Sequence, residues 1–165
     1  MQTLTEILIT AHPRPCITAE DLAQYVYGPS HVSLESALSH HGWIPEAIYT
    51  VTSTCTGESR TFQTPLGTFS FSRVPQNVFY AAVTRESDDA TGDVALIATP
   101  VKALADYVYV YRKEWLTPDP AIRSLCIDPD DLASVPMDDL DETMESYRNE
   151  RVLRFLAGLR REYGL

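Results

Sequence analysis

The spacing of apolar residues divides this chain into a helical third, a strand third and a second helical third. Thr18 ahead of Ala19-Glu20-Asp21 predicts a capped helix over Ala19–Tyr27, which Gly28-Pro29 breaks. Ser33 opens a second helix with Leu34, Ala37, Leu38 and His41 on one face, and Gly42 stands where a helix-stopping glycine belongs. From Ile48 the period drops to two. Tyr49, Val51 and Cys55 alternate with Thr50, Thr52 and Thr54, as in a half-buried strand. After turn residues 56–59 a further run begins at Arg60, Thr64-Pro65-Leu66-Gly67 reads as a tight turn, and Phe69 and Phe71 share a face. Val78–Arg85 and Val94–Ala98 read as two more strands around the polar loop Glu86–Asp93. Most of these connections are too short for crossovers, so the expectation is an antiparallel sheet of about five strands.

Helical spacing returns at Pro100, where Val101, Leu104, Ala105 and Val108 line one stripe and Tyr107, Val110 and Tyr111 widen it. Pro120 and Pro129 cut Asp119–Ser134 into short turns. Beyond Pro136 one stripe runs through Leu140, Met144 and Tyr147, and another through Val152, Phe155, Leu156, Leu159 and Tyr163. The stripe shifts near Asn149, so one long helix or two fit equally. The expected fold class is α+β, an antiparallel sheet flanked by an N-terminal helix pair and C-terminal helices.

Composition fits a single domain over residues 1–165, with 44% hydrophobic and 22% charged residues. Three widely spaced cysteines, Cys16, Cys55 and Cys126, form neither a zinc-ribbon pattern nor a disulfide framework. No signal peptide or membrane span is read, so a cytoplasmic location with reduced thiols is expected. The net charge of −10 disfavours nucleic acid or anionic lipid as a partner for the whole surface. That charge is uneven: residues 119–146 hold nine acids against Arg123 alone, while 148–165 hold five arginines against Glu150 and Glu162. The pattern reads as a solvated acidic face and a dipole-matched helix end, or as a dipolar contact surface for a basic partner.

Candidate chemistry is sparse. Gly28-Pro29-Ser30-His31-Val32 begins like a nucleophile elbow, but lacks the second glycine and is expected between two helices. His40 and His41 project about 100° apart on a helix, which suits a packed and an exposed histidine rather than a shared metal. Asp139-Leu140-Asp141 would need a strand to aim both carboxylates one way, and it reads as helix. No catalytic, cofactor or metal site is therefore assigned. The helix pair over residues 18–42 has the outline of a helix-turn-helix, yet no Lys or Arg occurs between Arg14 and Arg60. Arg148, Arg151 and Arg154 repeat every three residues and mark a candidate contact surface that could follow a strip of phosphates.

Tyr25-Val26-Tyr27-Gly28-Pro29-Ser30-His31-Val32-Ser33-Leu34-Glu35-Ser36-Ala37-Leu38 and the following His41-Gly42-Trp43-Ile44-Pro45 resemble a block of the AbiEi-type antitoxin family. Residues 48–54 with 62–69 resemble the strand and hairpin of that family, and residues 98–106 resemble its helix start. The resemblance covers Tyr25–Arg112, leaving residues 1–24 as a short extension and 113–165 as a helical tail. Its landmarks here are Ser33, Glu35, Ser36, Gly42, Lys102 and Asp106. Each also has a plain structural reading, Lys102 and Asp106 as a surface pair at i, i+4 among them. The resemblance implies the antitoxin half of a type IV, abortive-infection system, a family often described as transcriptional regulators of viral defence. The implied functional partner is a nucleotidyltransferase-like toxin, counteracted with or without direct contact. Family members usually place a winged-helix DNA-binding domain ahead of the first block. Only 24 residues precede Tyr25, so DNA binding by this chain alone is not expected. The alternative is a protein-interaction subunit working with a separate DNA-binding chain. Trp43 and Tyr49 are read as core, and homo-oligomerisation is left open.

Overall fold

The structure is a computed structural model, and it describes residues 19–45, 49–87, 92 and 94–165. Thr18, Cys16 and His12, and most of the loop after Ser87, lie outside the described residues. The elements are α1 (Ala19–Val26), β1 (Ser30–Val32), α2 (Leu34–His40), β2 (Thr50–Cys55), β3 (Arg60–Thr64) and β4 (Gly67–Arg73). A 3₁₀ turn at Gln76–Val78 follows, then β5 (Val83–Ser87), β6 (Val94–Ala98) and α3 (Pro100–Val110). The helical tail comprises α4 (Asp119–Leu125), α5 (Pro129–Ala133), α6 (Met137–Ser146) and α7 (Glu150–Tyr163).

The fold is α+β as expected, but the sheet differs from the expected one. It has six strands in the order β3-β4-β2-β1-β6-β5, and it is mixed. β1 pairs antiparallel with β2 and parallel with β6; β2 and β4 are parallel neighbours; β3–β4 and β5–β6 are antiparallel. Short connections do not force antiparallel neighbours here, because β3 is laid down on the far side of β4, which leaves the slot beside β2 open for a parallel strand. β1 was missed because its three residues, Ser30-His31-Val32, are too few to display an alternation. That strand also corrects the setting of the Gly28–Val32 motif, which does not lie between two helices alone. The run expected at Val78–Arg85 is a strand only from Val83, since Val78 closes the 3₁₀ turn.

Paired residues on adjacent strands point to the same face of a sheet. Val32, Val51, Phe69, Phe71 and Ile97 therefore make one apolar face, and α1 lies across it against β1, β6, β2 and β4. Tyr27, just past α1, packs its ring 5.4 Å from Phe71 and 5.8 Å from Phe62. His31, Thr52 and Thr54 point the other way, towards α2 and α3, and so β2 is buried on both faces instead of one. α3 packs in turn on α6 and α7. The two tail stripes are two helices: Asn149 Oδ1 accepts from the backbone N–H groups of Arg151 and Val152, capping α7 where the stripe shifts. Trp43 is core as expected, whereas Tyr49 is 90% exposed.

Candidate functional site

Three of the landmark residues meet in one place. β1 ends at Val32, Ser33 carries the chain on, and α2 begins with Leu34 in a left-handed conformation, φ +55. This sharp strand-to-helix turn aims Ser33 across at α3, where Lys102 and Asp106 stand one helical turn apart. Ser33 Oγ donates to Asp106 Oδ2 at 2.6 Å, and Lys102 Nζ donates to Asp106 Oδ1 at 2.5 Å. The hydroxyl of Tyr147, from the break between α6 and α7, donates to the same Oδ1. His31 Nε2 lies 3.8 Å from Asp106 Oδ2 and shares a 2.8 Å hydrogen bond with Thr54 Oγ1. The Lys102 ammonium also sits 5.2 Å from the centre of the Tyr147 ring, and the His31 ring 4.8 Å from that of Phe79.

The expectation of a surface ion pair is thus overturned. Lys102 and Asp106 are both 0% exposed. An i, i+4 spacing says that two side chains can meet, and the residues packed over them decide whether they meet in water. Here α2, β1 and α6 cover that side of α3. Burial pushes the Asp106 carboxyl up, but the Lys102 ammonium and His31 outweigh it and hold the group below the usual carboxylate range. Burial dominates at His31 and lowers its pKa, so the imidazole is neutral. Burial and then the Asp106 charge raise the Tyr147 phenol well above its usual value, so it stays a donor. The set is a charge-balanced knot: one carboxylate, one ammonium, and three neutral groups that supply or share protons.

Compared with protein-family models and with curated proteins, this chain matches none.

What the knot can do chemically follows from its partners. Serine, histidine, aspartate and lysine are the residue types of nucleophilic catalysis, but there the nucleophile must face a base and a substrate. Ser33 Oγ faces a carboxylate, His31 faces a threonine hydroxyl, and all of these groups are buried. The arrangement ties β1, β2, α3 and the α6–α7 break together. Among the described residues no group of His, Cys, Asp and Glu is placed to hold a metal.

The other landmarks have separate places. Ser36 Oγ accepts from the Thr52 N–H at 2.8 Å, and the Ser36 N–H donates to Thr52 Oγ1 at 3.0 Å, a reciprocal pair that fixes α2 to β2. Glu35 accepts from the Tyr111 hydroxyl at 3.2 Å near the surface. Gly42 adopts φ +75 just after α2, the conformation that favours glycine at a helix end. Arg148, Arg151 and Arg154 do not form one helical strip, because Arg148 precedes the Asn149 cap. Arg154 pairs with Glu150 at 2.8 Å and Arg151 with Glu114 at 3.5 Å. His40 reaches Glu86 at 2.9 Å, while His41 donates to the Ala98 carbonyl at 2.9 Å. Sequence reasoning missed His31, Thr54 and Tyr147 as members of the knot. Tyr147 did show a signal, since a tyrosine on an apolar stripe needs a partner for its hydroxyl.

Proposed function

We propose that this chain is a non-enzymatic, antitoxin-like protein that counteracts a nucleotidyltransferase-type toxin in phage defence. The observation that carries this reading is the meeting of Ser33, from the first resembling block, with Lys102 and Asp106, from the third. Scattered chance matches would have no reason to share one buried knot, whereas the signature of a fold would. The knot accounts for these residues without a substrate, in keeping with a protein that acts through its surface. Expression of the chain beside a cognate nucleotidyltransferase-like toxin is expected to restore growth. Continued growth arrest, with both proteins soluble and the toxin active, would sink the reading.

The second reading, a regulatory subunit that works with a separate DNA-binding chain, is favoured by the acidic segment. Asp138, Glu142 and Glu145 lie on α6 with Asp139, whose carboxyl is raised by burial and by the charges of Glu142 and Asp138. Such a crowded set of carboxylates is relieved by a basic partner. A monomer in light scattering that stays monomeric beside candidate DNA-binding chains would count against it. DNA binding by this chain alone is not proposed.

A further inference from the structure

Among the described residues, one concave place gathers positive charge. A cavity of about 420 Å³ opens between the end of β4, the end of α3 and the start of α7. Three arginines from three separate stretches line it: Arg73, Arg112 and Arg151. Ser59, Ser72 and Asn149 add polar side chains. In a chain with 13 basic residues against 23 acids, this concentration runs against the composition.

The charges are also under-used. Among the described residues neither Arg73 nor Arg112 has an ion-pair partner, and Arg151 has only the exposed Glu114 at 3.5 Å. The Nε of Arg151 is buried with no hydrogen-bond acceptor. An acceptor from outside the chain would satisfy that donor. Arg112 holds φ +52, a left-handed backbone unusual for a residue with a side chain, and that backbone presents the arginine at the cavity. The fork of a guanidinium matches phosphate oxygens in pairs, so three of them suit a ligand with several such oxygens. The volume lies in the range of small-molecule sites and exceeds what one phosphate fills. Tyr109 and Val110 supply an apolar wall beside the arginines.

The geometry points to a binding site for a small polyphosphate, of the nucleoside di- and triphosphate class, held by Arg73, Arg112 and Arg151. The phosphates take the arginines, and the Tyr109 wall takes the less polar part of the ligand.

Calorimetric titration in a phosphate-free buffer tests this with inorganic phosphate, pyrophosphate, ADP and ATP as probes. Pyrophosphate and the nucleotides are expected to bind at least about tenfold more tightly than inorganic phosphate, since each charge-assisted contact is worth about that much. Arg112→Gln, at an exposed position, is expected to weaken them about tenfold, while Arg161→Gln on the far end of α7 leaves them unchanged. Pyrophosphate should also shift the Nε–Hε resonance of Arg151 in the unaltered protein, a readout that does not depend on a variant folding. Three outcomes overturn the proposal: no binding at millimolar probe, equal weakening by Arg161→Gln, or tighter binding of single-stranded RNA than of any nucleotide. The last would reassign the cavity to a nucleic-acid strand.

Discussion

Asp106 sets the terms at the residue scale, because three donors, one of them a full positive charge, converge on it. Removing one member of a buried ion pair leaves the other charge stranded, at a cost of about 3–5 kcal/mol. Lys102→Met is expected to destabilise by that amount in urea unfolding. Lys102→Met combined with Asp106→Leu should recover part of the loss, since no buried charge then remains. The knot also dictates a pH dependence. His31 is held neutral when folded, with its pKa lowered chiefly by burial, and unfolding returns it towards about 6.5. Below that pH the unfolded chain binds a proton that the folded chain refuses, so stability falls as the pH is lowered. Asp106 acts in the same direction further down. Its folded carboxyl is held below the ordinary value, so the stability it contributes above about pH 4 is lost as the unfolded carboxyl protonates. Urea midpoints between pH 7 and 5 should therefore decline, and His31→Gln should flatten that decline while leaving the steeper loss below pH 4. A midpoint constant across pH 5–7 in the unaltered protein would show that His31 is not held neutral.

At the scale of elements, α7 shows how a local rule yields to packing. Gly158 sits in the middle of this helix, where Ala would ordinarily gain about 1 kcal/mol in helix propensity. The place a Cβ would occupy is filled by the Leu116 carbonyl oxygen, so the segment after α3 lies directly against the helix backbone. Gly158→Ala is expected to destabilise despite its better propensity, and thermal unfolding checks the sign. Helices with an apolar stripe were the legible ones: those at Leu34–Leu38 and Val152–Leu159 carry their period in full, and Gly42 and Asn149 mark ends by their chemistry. Asp119–Ser134, expected as short turns, instead forms the helices α4 and α5, because Pro120 and Pro129 stand in first turns, where proline is tolerated. Strands were legible only where alternation had room. Val94–Ala98 was read correctly in extent, while Ser30–Val32 was too brief to show a period and was hidden between two helix signals. The threonines of β2 read as a solvent face, although Thr52 and Thr54 are buried beneath α2 and α3 with their hydroxyls occupied. Sequence spacing fixes which side of a strand a residue takes, and only the assembled layers decide whether water reaches that side.

At the scale of the molecule, charge and topology are both polar. The acidic segment spans α4 to α6, whereas the arginine-lined cavity joins the sheet to α3 and α7. Of the candidate sites, the Lys102–Asp106 spacing was visible from the start, but its union with Ser33, His31 and Tyr147 depends on pairings between distant segments that no local pattern records. The same distance shapes how the sheet can assemble. β3 and β4 meet across the two residues Pro65 and Leu66, so their pairing closes a very small loop. β1 stands between β2 and β6 and meets β6 through Val32 and Ile97, which are far apart along the chain. Closing that long loop costs entropy before its contacts form, so the middle of this sheet is expected to knit last, after the hairpins on either side. Val32→Ala should then speed unfolding while leaving the refolding rate nearly unchanged, a result stopped-flow kinetics reads directly. The strand at the geometric centre is in that sense the closing stitch, and a chain still waiting for it has two separate edges open to other chains.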